Sequence, residues 1–258
     1  MPILTRLPDL DHWKAQVKCQ SGCPVATDAG RYVQLIAEGR EEEAFLVARA
    51  PNPFASVCGR VCAAPCEDAC RRGAIDAPIA IRALKRYVTE RYGVESVHPD
   101  TQDRLRTVPT PEGNRYAGHL PIHPSAIPAA NASGGRKVAV IGAGPSGLSA
   151  AHDLALLGYS VTVFEAAREP GGMMRFGIPE YRLPRTLIRA EIDKIVCLGV
   201  TLELDAPLTP SFGLAELEGQ GFEAVFLSVG VAKGRDLDIP GVELDGVIKA
   251  VGYLLNVN

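Results

Sequence analysis

Apolar residues recur along this chain at two different periods, and the change of period divides it in two. Tyr32, Leu35 and Ile36, then Ala44, Phe45 and Ala48, then Ile81, Leu84 and Val88 repeat at intervals of three and four. That spacing gives each segment one apolar face and predicts helices. Beyond residue 136 the rhythm changes to short β-branched runs at 138–141, 160–164, 200–204 and 224–228, alternating with helical stretches at 149–157 and 185–198. Strands that alternate with helices predict a parallel α/β sheet. The chain therefore reads as an α-helical domain over residues 1–96 followed by an α/β domain over residues 136–258. Between them, residues 97–135 carry prolines at 99, 109, 111, 121, 124 and 128 and close on an Asn-Ala-Ser-Gly-Gly string. This composition predicts a connector, and its length predicts that it runs along the surface of one domain.

The start of the α/β domain carries chemistry. The first strand runs into Gly142-Ala143-Gly144-Pro145-Ser146-Gly147, and a helix follows. In such a G-x-G-x-x-G turn the first glycine permits the tight bend and the second lets the backbone approach a pyrophosphate. The third lets the helix sit close to the strand. The phosphates then meet the positive end of the helix dipole. The second strand closes on Glu165, where a carboxylate can accept hydrogen bonds from ribose hydroxyls. Strand, turn, helix and acid in this order predict a bound dinucleotide.

The helical half adds a cysteine pattern. Six of the seven cysteines fall between Cys19 and Cys70, in the order Cys19-x-x-x-Cys23-Pro24 and then Cys58, Cys62, Cys66 and Cys70 at intervals of four. The Cys-x-x-x-Cys-Pro ending matches the close of a bacterial ferredoxin run. Four-residue spacing would align the later sulfurs on one helical stripe, but Gly59 and Pro65 predict a break and a folded loop around a cluster. Zinc competes, since four thiolates suit it too, although the Cys-x-x-Cys knuckles it favours are absent. Cys197 stands apart in an apolar helical context and reads as core. No export signal or long apolar run is visible, so the thiols read as metal or redox groups in a cytoplasmic protein. The 258 residues, with 47% hydrophobic content and a net charge of −3, describe a globular chain with no basic field for nucleic acid.

Taken together, the two halves resemble the family that contains the glutamate synthase small subunit and the amino-terminal half of dihydropyrimidine dehydrogenase. Three further strings carry the resemblance: Cys58-Gly-Arg-Val-Cys62 with Cys66-Glu-Asp-Ala-Cys70; Gly171-Gly-Met-Met-Arg-Phe-Gly-Ile-Pro-Glu-Tyr-Arg-Leu-Pro184; and Ile239-Pro-Gly241 after Phe226-Leu-Ser-Val-Gly230. The resemblance implies a helical iron-sulfur domain followed by a Rossmann-type FAD-binding domain that is incomplete at its carboxy terminus. It implies FAD with its pyrophosphate on residues 142–147 and its ribose on Glu165. Gly172, Met173 and Arg182 match positions that contact the flavin, Leu208 matches a weaker one, and Gly230 completes the expected cofactor-binding set. Read without the family, Gly171-Gly172 is a turn, Met173 is ordinary core and Arg182 a solvated cation.

For the clusters, the resemblance matches Cys23, Cys62 and Cys66 to three ligands of one family cluster, and Cys19 and Cys70 to two ligands of another. Cys58 matches a position that is not a ligand in dihydropyrimidine dehydrogenase. Trp13 and Gln16 stand where the second cluster would draw two more thiolates. Lys85 stands where relatives offer Gln or Glu as a fourth ligand. One [4Fe-4S] cluster built from the six upstream cysteines is the expectation.

The resemblance implies electron transfer from NAD(P)H through FAD and the cluster to a catalytic, electron-accepting subunit. In the family an NADPH-binding domain interrupts the flavin domain after a segment like residues 246–255. No second G-x-G-x-x-G follows here, so the nicotinamide site is expected in a missing carboxy-terminal half or on a partner chain. No side chain needs to act as a general acid or base. Two rivals stand beside this reading: a docking subunit with a vestigial flavin fold, and a flavin-dependent disulfide reductase relative. NAD bound at Gly142 in place of FAD is a third. Neither a nucleic acid nor a membrane is an expected partner.

Overall fold

A computed structural model describes residues 12, 16–94, 135–231, 234–235 and 237–257. The expected connector falls almost wholly outside these residues, as does Trp13. The helical half contains α1 (Lys18–Ser21), α2 (Ala29–Ala37), α3 (Glu41–Arg49), α4 (Ala55–Val61), α5 (Pro65–Asp68), a 3-10 turn (Arg71–Ala74) and α6 (Ile81–Tyr92). The apolar stripes read from the sequence meet as expected: Tyr32 and Leu35 of α2, Ala44, Phe45 and Ala48 of α3, and Ile81 and Val88 of α6 form one buried cluster. Asp28 caps α2 by accepting from the Arg31 amide, which satisfies one otherwise unpaired donor. Within this core the Tyr32 hydroxyl donates to the Ile81 carbonyl at 3.0 Å and ties α2 to the start of α6. Burial, reinforced by the nearby Cys66, Cys23 and Cys19 thiols, holds the phenol pKa well above its ordinary value, so it remains a donor.

The cysteine run is broken, though not at Gly59. Gly59 lies inside α4, where a Cβ would come within 2.9 Å of the Arg86 Cα, so its smallness lets α4 and α6 pack closely. The break comes at Cys62–Ala64: Cys62 is extended, Ala64 is left-handed at φ 59°, and Pro65 opens α5 at the position where its missing N–H costs nothing.

The second half is built on four parallel strands in the order β3-β2-β1-β4, with β1 at Lys137–Ile141, β2 at Ser160–Phe164, β3 at Thr201–Glu203 and β4 at Phe222–Leu227. Helix α7 (Pro145–Leu156) joins β1 to β2, while α8 (Met173–Phe176) and α9 (Arg185–Val196) lie between β2 and β3. Helix α10 (Leu214–Gly219) precedes β4, and α11 (Ala250–Val257) follows it. Helix α7 begins four residues earlier than its periodicity predicts, because Pro145 supplies a ready helical φ in the first turn. Cys197 is exposed, which corrects its reading as core. The buried face of α9 is Leu187, Ile188, Glu191, Ile192 and Ile195, and Cys197 falls past the helix end and off that face.

A charged residue on that face marks the junction of the two halves. Glu191 is 1% exposed and Arg49, at the end of α3, 8%. Arg49 Nη1 donates to Glu191 Oε2 at 3.0 Å and to the Pro53 carbonyl, while Glu191 Oε1 accepts from the Ser56 amide at 3.3 Å. A carboxylate from α9 therefore sits at the start of α4, where the helix dipole favours negative charge. Phe54 and Val57 bury themselves beside Leu187, Ile188 and Ile192 in the same apolar cluster.

Candidate functional site

The glycine loop is shaped by close backbone approaches. Gly142 has φ 106°, and a Cβ there would lie 2.5 Å from the Ser228 carbonyl oxygen. At Gly147 a Cβ would collide with the Gly142 carbonyl and with Ser228 Oγ. At Gly144, by contrast, a Cβ would meet no protein atom within 4 Å. The loop thus packs on one side against the end of β4 and leaves open space at its middle glycine, where a diphosphate would lie. The amides of the first turn of α7 face that space with the positive end of the dipole.

Glu165 is fixed beside this loop. Its Oε2 accepts from the Ala143 amide at 2.6 Å and its Oε1 from the Ala167 amide at 2.9 Å. Each carboxylate oxygen can accept more than one hydrogen bond, so the acid is held in place and still able to receive ribose hydroxyls. The Gly171-Gly172 turn joins the same site: the Gly171 amide donates to the Ala143 carbonyl at 2.8 Å. Gly172, at φ 51°, comes so near that a Cβ would lie 2.8 Å from the Gly144 Cα. Gly142, Ala143, Gly144, Pro145, Ser146, Gly147, Glu165 and Gly172 therefore form one cradle. Met173 opens α8 directly after it, 39% exposed, while Met174 is buried. Leu208 lies beyond Ala206, whose amide bonds the Glu165 carbonyl. Arg182 and Gly230 are exposed, and among the described residues no hydrogen bond or ion pair joins the Arg182 guanidinium to the glycine loop.

One residue of the cradle is missed by reading the sequence. Ser228 Oγ donates towards the Ile141 and Gly142 carbonyls at 2.9 and 3.1 Å, and so clamps β1 and its loop to β4. It stands inside the Phe226-to-Gly230 string, but only the folded register shows what it touches.

In the helical half a single pocket is lined by Cys23, Cys58, Cys62 and Cys66, with Tyr32, Ile81, Arg82 and Lys85 among its other walls. Cys19 and Cys70 are not on that lining. The sulfurs come from four places: Cys23 from the loop after α1, Cys58 from α4, Cys62 from the extended break that follows it, and Cys66 from α5. The loop between α4 and α5 is tied to α6, because Glu67 Oε1 accepts from the Arg82 amide at 2.7 Å and Arg82 Nη1 donates to the Cys62 carbonyl at 2.6 Å.

Two of the sulfurs already make hydrogen bonds. The Ala64 amide donates to Cys62 Sγ at 3.3 Å, and Cys23 Sγ lies 3.6 Å from Thr27 Oγ1. Burial opposes a Cys23 thiolate, but hydrogen bonds from Thr27 and Val25, with the Lys85 charge, leave that thiol below its ordinary pKa. Burial raises the Cys58 thiol against the pull of Asn52 and Lys85. Burial also raises Cys66, helped by repulsion from Cys23 and Cys62. The Cys70 thiol is lowered chiefly by hydrogen bonding from the Ile79 backbone and then from Arg72 and Gly73 within the 3-10 turn.

Among the described residues no three His, Cys, Asp or Glu side chains converge as a single metal ion requires. One zinc would draw its thiolates onto bonds of about 2.3 Å, whereas a cubane binds each thiolate at a different iron and holds them apart. Thiolates around one pocket, an N–H···S bond and a buried cation fit an iron-sulfur cluster. Lys85 is on the pocket wall, as its match to the family's fourth-ligand position implies. It is 8% exposed, on the buried face of α6 with Ile81 and Val88, and its Nζ lies 5.9 Å from the centre of the Tyr32 ring.

Comparison with known proteins agrees with both halves. Residues 14–96 match the family described as dihydroprymidine dehydrogenase domain II, 4Fe-4S cluster, and residues 140–184 match the NAD(P)-binding Rossmann-like domain. The chain is 39% identical over 250 residues to the NADP(+)-dependent formate dehydrogenase subunit beta of Moorella thermoacetica, covering 93% of this chain and 33% of that one. It is 34% identical to the NAD-dependent dihydropyrimidine dehydrogenase subunit PreT of Escherichia coli O157:H7, covering 92% of this chain and 50% of the relative. It is 30% identical to the glutamate synthase [NADPH] small chain of Mycobacterium tuberculosis, covering 92% and 43%. The chain thus spans between a third and a half of the length of these relatives. With its cysteine-bearing helices leading into a dinucleotide cradle, the chain is similar along about nine tenths of its length to relatives that include the glutamate synthase small chain and dihydropyrimidine dehydrogenase subunits.

Proposed function

We propose that this chain is the flavin- and cluster-bearing part of an NAD(P)H oxidoreductase that feeds electrons to a partner catalytic subunit. FAD, when bound, supplies the exchange between two-electron hydride chemistry and the single electrons an iron-sulfur cluster carries. The observation that carries the reading is the junction at Glu191. The helix that presents Cys58 and leads into Cys62 is capped at its first turn by a carboxylate from α9, which belongs to the domain holding the dinucleotide cradle. A rigid junction of this kind fixes the separation between two redox groups, which is what the protein must contribute when the cofactors supply the chemistry.

In this reading Gly144 admits the pyrophosphate, Glu165 orients the adenosine ribose, and Gly172 with Met173 brings the chain against the flavin. Arg182, Leu208 and Gly230 complete the flavin surroundings. The closeness of the Gly171-Gly172 turn to Gly144 supports FAD over NAD at this site, since it gives a dinucleotide a second wall beyond the fingerprint loop. Cys23, Cys62 and Cys66 hold the cluster, and the hydride donor binds outside these residues. A partner subunit receives the electrons, in keeping with relatives that are themselves named as subunits. Among the described residues no helix is long and apolar enough to cross a membrane, and the reading is of a cytoplasmic enzyme. Loading the full chain anaerobically, extracting the bound nucleotide and measuring iron tests it. FAD with about four irons per chain is expected for one cubane cluster. NAD in the extract, or protein that takes up neither group, overturns it.

A further inference from the structure

We infer that Cys58 is the fourth thiolate ligand of the cluster, completing a set with Cys23, Cys62 and Cys66, and that Lys85 is a fixed cation beside that cluster and not a ligand. The proposal deepens the reading above and rests on it. The usual ligand set of a [4Fe-4S] cubane is four cysteine thiolates. Four sulfurs line the pocket, and Cys58 is one of them, whereas Cys19 and Cys70 are not. Cys62 directly follows the last residue of α4, its amide bonded to the Cys58 carbonyl at 3.1 Å, and both residues line the pocket. The α6 residues on the lining are Ile81, Arg82 and Lys85, and none ligates iron: Ile81 is apolar, and the Arg82 guanidinium and the Lys85 ammonium offer donors and no lone pair. Of the remaining walls α4 offers a thiol, Cys58.

On assembly the Cys58 S–H proton leaves to solvent and the sulfur bonds the fourth iron. A cluster with four thiolates carries net negative charge, and the buried Lys85 ammonium offsets part of it. Cys19 and Cys70 are left as thiols outside this cluster. Cys58 is also the pocket cysteine on the helix whose first turn is capped by Glu191 of the dinucleotide domain.

Differential alkylation of the full chain, anaerobically loaded with iron and sulfide, tests this without any substitution. Peptide mass spectrometry reads each cysteine before and after the cluster is stripped with a chelator. Cys23, Cys58, Cys62 and Cys66 should be protected in the loaded chain and become at least about tenfold more reactive once stripped. Cys19, Cys70 and the exposed Cys197 should react alike in both states. In parallel, Cys58→Ala should yield the electron paramagnetic signal of an oxidised three-iron cluster, while the double variant Cys19→Ala/Cys70→Ala should keep the wild-type four-iron spectrum. Cys58 labelled as fast in the loaded chain as in the stripped one overturns the proposal, as does protection that shifts to Cys19 or Cys70. A wild-type chain that takes up no iron overturns the broader reading along with it, so the two failures are distinguishable.

Discussion

Single atoms decide what the glycine loop can hold. Gly144→Ala adds a methyl where no protein atom lies within 4 Å, so thermal stability should change by less than about 0.5 kcal/mol. Dinucleotide affinity should nonetheless fall at least about tenfold, because the methyl enters the space left for the pyrophosphate. Gly147→Ala should behave in the opposite order, losing about 1–3 kcal/mol of stability from the collision with Gly142 and Ser228 before any ligand is added. Thermal melts with and without FAD separate the two. The thiols offer a second contrast at this scale. In the metal-free chain Cys23 is held low and Cys66 high, so the reactive thiolate of Cys23 persists to lower pH. A pH series of alkylation rates should show Cys23 labelling setting in before that of Cys66 as pH rises. Much of this was legible, because each glycine of the fingerprint answers a separate steric demand that no other residue meets. The grouping of Cys58 with Cys23 was not, since spacing along a chain does not say which sulfurs face one another across a turn. Nor was the exposure of Cys197, which depends on where α9 ends and which way its last turn faces.

Among elements, the junction between α3, α4 and α9 matters most. Breaking a buried ion pair leaves an uncompensated charge, so Glu191→Ala should lower stability by about 3–5 kcal/mol. Arg49→Ala should cost a similar amount by the same argument. Denaturant unfolding of each variant and of the double variant measures this. Because the two groups form one unit, the double variant should lose less than the sum of the single losses. Arg49 and Glu191 lie 142 residues apart, and nothing in their local sequence contexts links them. The helices and strands themselves were readable because one apolar face, or one β-branched run, dictates each. Their pairing partners were readable only for the βαβ unit, where the crossover constrains the answer. The start of α7 was placed late because Pro145 and Ser146 look like loop residues, although proline favours a first turn.

For the whole molecule, the α-helical half and the four-stranded parallel sheet were both legible, since a change from a helical to a strand period is a long-range signal that single residues do not blur. What the order of elements could not give was how the halves meet. The shared apolar cluster and the Glu191 junction answer that, and they make the cysteine pocket and the glycine loop parts of one body. The central claim is that electrons pass between the two sites within this chain. The most direct measurement photoreduces the FAD bound to anaerobically loaded protein and freezes samples at successive times for electron paramagnetic resonance. The account predicts that the signal of a reduced cluster grows as the flavin is reoxidised, and that Glu191→Ala slows the exchange. A flavin that stays reduced beside a cluster that stays oxidised, in protein shown to carry both, would contradict it.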